Sequence, residues 1–111
     1  MMKNLTLTFK ERLQISDAVG AIRGTIAETR IPNRILDKIE PTEEEKKAAN
    51  YHVLGPDRVE FDLVAADVAK TVDLEDAEAE RLCAVMETWK GFAPRDNPWA
   101  ERVVAALKKE A

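Results

Sequence analysis

The stretch Val72 to Gly91, VDLEDAEAERLCAVMETWKG, gathers residue types from which a reactive site could be made. Asp73, Glu75, Asp76, Glu78 and Glu80 offer oxygen donors, and Cys83, the chain's only cysteine, follows them. Clustered carboxylates can hold calcium or magnesium, but the EF-hand loop needs alternating ligands around a central glycine, and that pattern is absent here. A nucleophilic thiol needs a neighbouring base or a positive field. Cys83 instead follows an acidic run, and His52, the sole histidine, lies 31 residues earlier. Spacing therefore gives neither residue a catalytic or metal-binding role. The same acids have a structural use, since carboxylates in the first turn of a helix interact favourably with its positive end. Leu82, Val85, Met86 and Trp89 then recur at i, i+3, i+4 and i+7, the spacing of one buried helix face. Cys83 falls at the edge of that face as a small apolar side chain.

Two other groups of residues suggest contacts with macromolecules. Arg23, Arg30, Arg34 and Lys38 recur along one helical segment, the last three at intervals of four, and could line up against a phosphate backbone. Glu28 and Asp37 dilute that face, and a solvated helix surface is the favoured reading. Trp89, Trp99 and Phe92 sit at core-compatible positions. An exposed Trp99 would be an interface anchor, because tryptophan is enriched where binding energy concentrates. With the acidic Glu75 and Asp76 it forms the candidate protein-contact surface. Glycine-rich phosphate loops, a serine elbow, paired metal histidines and a redox Cys-x-x-Cys are all missing from the sequence. The expectation is no enzyme, no cofactor and no metal.

The elements that must position these residues are readable from caps and periodicity. Leu5, Leu7 and Phe9 alternate with threonines as a strand or extended lead-in would, and Thr8-Phe-Lys-Glu11 is a capping box that predicts a helix from Phe9. Gly20 and Gly24 predict a break. Ile22, Ile26, Ile31, Ile35, Leu36 and Ile39 continue helical spacing, with Pro32 either kinking a helix or opening a new one. Thr42 and Glu45 make a second capping box, followed by lysines, and predict a short helix. Gly55-Pro56-Asp57 signals a turn, after which Val59 and Phe61 alternate with acids as a strand. A return strand over Val68 to Leu74 predicts a small hairpin across a bend at Leu63 to Asp67. The acidic-fronted helix follows and ends at Gly91, a suitable left-handed cap. Asn97-Pro98 starts a last helix carrying Trp99, Val103, Ala106 and Leu107 on one stripe.

With 111 residues the chain fits one domain, residues 1 to 111. Sixteen alanines among the hydrophobic residues imply a core of modest stability, for which self-association as a homodimer is a reasonable supplement. The formal net charge of −4 is unevenly spread, with 4 basic against 12 acidic groups between residues 41 and 80. Such a middle third repels nucleic acid unless a basic face outweighs it. A single cysteine suits a reducing cytoplasm, and no apolar run approaches the roughly 20 residues needed to span a bilayer.

LTLTFKERL (Leu5 to Leu13), TEEEKK (Thr42 to Lys47) and VDLEDAEAERL (Val72 to Leu82), with a charged alternating strand between the last two, resemble a set of small proteins of no agreed activity encoded by bacterial viruses and prophages. The resemblance implies origin and compactness and assigns no functional residue. The sequence thus predicts an α+β fold, mostly helical, with four to five helices, a small β-hairpin and a C-terminal antiparallel helix pair. The expected role is a cytoplasmic, non-enzymatic protein-interaction, assembly or regulatory protein. The alternative is a nucleic-acid-binding transcriptional regulator using Arg23, Arg30, Arg34 and Lys38.

Overall fold

At Thr8 a strand becomes a helix with no loop between them. The computed structural model describes residues 2–56, 58–62 and 68–108, and its first strand β1 (Met2–Thr8) runs directly into α1 (Phe9–Gly20). Alternation makes the strand: Leu5 and Leu7 are buried while Asn4 and Thr6 face outward, the period of two that a pleated backbone imposes. The capping box makes the helix. Glu11 donates its backbone N–H to Thr8 Oγ1, and its carboxylate accepts from the Thr8 N–H, so two donors that every helix start leaves unpaired are met.

The chain continues through a single turn at 25–29, where Thr25 and Glu28 exchange hydrogen bonds in the same reciprocal way. It then forms α2 (Arg30–Ile39) and α3 (Glu43–Ala48). Pro32 is the third residue of α2, within the first turn, where its missing N–H removes no intrahelical bond. It opens a helix instead of bending one. The Thr42–Glu45 box starts α3 as the sequence predicts. Asn50 ends it at φ 52°, with the Asn50 N–H donating to Lys47 O and the Tyr51 N–H to Lys46 O. This is a Schellman closure, and asparagine is among the few residues besides glycine that enter the left-handed region readily.

Next come β2 (His52–Gly55) and β3 (Arg58–Glu60), paired antiparallel, then β4 (Ala69–Glu75), which pairs antiparallel with β1. The sequence-predicted hairpin is therefore displaced. The Gly55-Pro56 turn signal ahead of its first strand lies inside the observed hairpin, and the strand expected to return alongside Val59 lies instead on the N-terminal strand. The predicted bend at 63–67 lies outside the described residues. Burial explains the choice: β1 opposite β4 sets Leu5 against Val72 and turns Leu7 and Leu74 inward with them, so both apolar faces join the core in one register. Thr6 and Thr71 lie opposite each other on the outer face, their hydroxyls 2.8 Å apart.

β4 enters α4 (Asp76–Thr88) as abruptly as β1 enters α1, with Glu75 as N-cap and Glu78 at the third position reaching back to the Glu75 N–H. One 3-10 turn, Pro94–Asp96, precedes α5 (Asn97–Lys108), which packs on α4 as the C-terminal helix pair. Leu82, Val85 and Met86 are buried as predicted, but α4 stops at Trp89 and Gly91 is not left-handed. Gly91 is bare for another reason: a Cβ there would lie 2.5 Å from indole atoms of Trp89. Leu5, Leu7, Val72 and Leu74 of the β1–β4 sheet join Ile15, Ile35, Leu82, Val103 and Leu107 of the helices in one hydrophobic cluster. The β2–β3 hairpin contributes no residue to it.

Candidate functional site

Four of the chemistry-bearing side chains singled out by sequence, Arg34, Lys38, Glu75 and Glu78, are engaged with one another. Glu78 is 1% exposed. Its carboxylate takes the Glu75 N–H at 3.0 Å and the Lys38 ammonium at 2.5 Å, with Arg34 Nε at 3.9 Å. Burial pushes its pKa up, but Lys38, the Glu75 N–H and Arg34 together outweigh that and hold it below the usual carboxylate range. Arg34 also stands 4.0 Å from Glu75. Arg34 and Lys38 of the basic series thus face the start of the acidic helix. Arg23 turns back to the carbonyls of Gly20 and Ile22 at the end of α1, and Arg30 is exposed.

Arg12, which no local pattern singles out, is the largest side chain in the core, at 1% exposure. Its Nε donates to Ile39 O at 2.9 Å, closing the C-terminus of α2. Its two terminal nitrogens grip the Glu45 carboxylate, Nη2 to Oε1 at 3.0 Å and Nη1 to Oε2. Arg12 pulls the Glu45 pKa down to about 2 against the opposing effect of burial, with further help from the Thr42 N–H. On the other side of α1, Arg102 of α5 contacts both oxygens of Glu11 at 2.8 and 2.7 Å. One arrangement recurs three times: the glutamate at the third position of a capping box also receives a cation from a distant helix.

Cys83 is buried, and its thiol donates to Glu87 Oε1 at 3.2 Å. Burial first, and the Glu87 carboxylate second, push its pKa up, the reverse of what an attacking thiolate requires. His52 stands exposed on β2, opposite Glu60. Among the described residues no three His, Cys, Asp or Glu side chains form a group able to hold a metal ion, and no helix is long and apolar enough to cross a membrane.

Trp99 is half-buried, edge-on to Phe92 at 5.6 Å, with its indole N–H donating to Asp96 Oδ1 at 3.2 Å. Glu75 and Asp76 are exposed at the head of α4. The structure thus separates the sequence-predicted contact residues: Trp99 packs at the start of α5, Glu75 and Asp76 at the start of α4.

A different apolar surface is open. Val53 and Leu54 on β2 and Val59 on β3 are 69%, 56% and 45% exposed, and Val68 is 61% exposed. Val53 and Val59 are register partners, so they share one face of the hairpin. Below it Phe61 meets Phe9 edge-on at 5.5 Å, and Asp62 N–H donates to Ala49 O. A groove of about 180 Å³, lined by Phe9, Ala48, Ala49 and Val68 with the Arg12–Glu45 pair and Lys70 beside it, lies at this base. That is smaller than the roughly 300 Å³ and above typical of small-molecule pockets. The sequence signal for β2 was present in Val53-Leu54 ahead of Gly55-Pro56, but its four residues are too few to show a period.

Comparison of the chain with family models, with curated proteins and with solved structures finds no match in any of the three.

Proposed function

We propose that this chain is a small non-enzymatic interaction or assembly protein, of phage or prophage origin, that works by presenting its β2–β3 hairpin to another protein. One observation carries the reading: Val53, Leu54 and Val59 stand in solvent on a two-stranded hairpin that adds nothing to the hydrophobic cluster. A lone two-stranded hairpin is only marginally stable in water, and contiguous exposed apolar groups on a soluble chain mark contact surfaces. Elsewhere Glu11, Glu45 and Glu78 serve as helix caps and ion-pair partners. Arg34 and Lys38 face Glu75 and Glu78, which leaves the basic helix face short of the free cations that phosphate binding uses.

Affinity capture from the native host, before and after infection, tests this. The bait is compared with a variant carrying Val53→Ser, Leu54→Ser and Val59→Thr. The expected result is a discrete protein retained by the parent chain and lost with the hairpin variant. Retention unaffected by those substitutions, or recovery of nucleic acid that elutes with salt, contradicts the proposal.

A further inference from the structure

We infer that the hairpin's partner is a second copy of this chain, paired antiparallel along β3 about a two-fold axis through Val59. This rests on the reading of the hairpin as a contact surface and names its occupant. Among the described residues β3 pairs only with β2, so its other edge offers unpaired backbone groups to a matching strand. The sequence of that edge is Arg58-Val59-Glu60. In an antiparallel self-pairing centred on Val59, each Arg58 lies opposite the Glu60 of the other copy, so the axis generates two cross-strand ion pairs from one strand. Opposite charges directly across a ladder are favourable and like charges unfavourable.

The apolar side agrees with the charged side. Val53 is the register partner of Val59 within one copy, and the two-fold axis sets Val59 against Val59. Four valines then form an unbroken row across one face of a four-stranded sheet, while Arg58 and Glu60 occupy the other face. An isologous contact of this kind closes at two copies. Self-pairing along β2, centred on Val53 or on Leu54, would leave Arg58 and Glu60 without oppositely charged cross-strand partners, so charge favours β3.

The test is the mass of the full chain by size-exclusion chromatography with light scattering, from about 1 µM to about 500 µM, a span that brackets micromolar to submillimolar dissociation constants. The parent chain shifts from 12.5 kDa toward twice that value with concentration, and the shift weakens as salt is raised. Arg58→Glu and Glu60→Arg, each alone, place like charges opposite each other and give monomers. Mixing the two variants in equal amounts, or combining both changes in one chain, restores the dimer. Circular dichroism of each variant confirms that it is folded. A second readout does not depend on charge: Val59→Cys places two thiols at the axis, where facing Cα atoms are about 4.5–5.5 Å apart and within disulfide reach. It crosslinks on mild oxidation faster than Val68→Cys, a control at a more exposed position, while Cys83 stays buried.

A parent chain that remains monomeric throughout, a dimer indifferent to both charge reversals, or equal crosslinking at positions 59 and 68 overturns the inference. The broader reading is judged separately. If the chain is a monomer but loses a captured protein when Val53, Leu54 and Val59 are replaced, a different protein occupies the hairpin.

Discussion

A glutamate three residues into a helix does two things in this chain: it closes the helix start and it anchors a cation from elsewhere. Glu11 with Arg102, Glu45 with Arg12, and Glu78 with Lys38 all follow that scheme. The capping half was legible at Glu11 and Glu45, because Thr-x-x-Glu is a local pattern, but not at Glu78, whose N-cap is Glu75. The anchoring half was not, because nothing local says that Arg12 lies inside while Arg23 and Arg30 lie outside. Removing Lys38 should expose the consequence. Lys38→Met leaves the buried Glu78 carboxylate with the Glu75 N–H and, as its remaining cation, the more distant Arg34, and should destabilise by about 2–3 kcal/mol in urea denaturation, below the ~3–5 of a fully enclosed pair. Adding Glu78→Gln should recover most of the loss, since a neutral amide still caps the helix. A Lys38→Met chain as stable as the parent would remove the pair from the fold's energetics. Acid gives a second check. Glu45 titrates lower when folded than the 4.5 of its free carboxyl, so its contribution is fully present above that pH and is lost as pH falls through about 2. Glu45→Gln should flatten this part of the stability–pH curve measured by thermal melting; an unchanged slope would contradict the pairing with Arg12.

At the scale of elements, the sequence showed where helices begin far better than which strands meet. Thr8, Thr42 and the acids ahead of Cys83 mark starts that the structure places at Phe9, Glu43 and Asp76. Strand pairing depends on which apolar faces can share a core, and Leu5 and Val72 are too far apart in the chain for a local pattern to join them. The Gly55-Pro56-Asp57 signal was sound, but the residues before it, not the distant 68–74 segment, supplied the partner strand. Segment 22–29 lost its predicted helix to the Thr25–Glu28 turn, which leaves Ile26 82% exposed. Gly91 illustrates a glycine kept for space: the indole of Trp89 occupies the position of a side chain. Gly91→Ala should therefore destabilise by about 1–3 kcal/mol through overpacking, with a red-shifted Trp89 fluorescence. A neutral effect on both would show that the ring can move aside without loss.

At the scale of the molecule, the acidic middle that composition revealed is partly neutralised from within, by α1 and α2 cations reaching Glu45 and Glu78. What remains unsatisfied is the hairpin, joined to the body through Phe61 on Phe9 and Asp62 on Ala49. Whether that hairpin is the contact surface is decided most directly by backbone hydrogen exchange, followed residue by residue in dilute chain and again in concentrated chain or with captured partner bound. The prediction is that amides in segment 52–60 exchange fast when the chain is alone and gain the greatest protection on association. Protection that appears instead at Arg23 to Lys38 or around Trp99, with segment 52–60 unchanged, would contradict it.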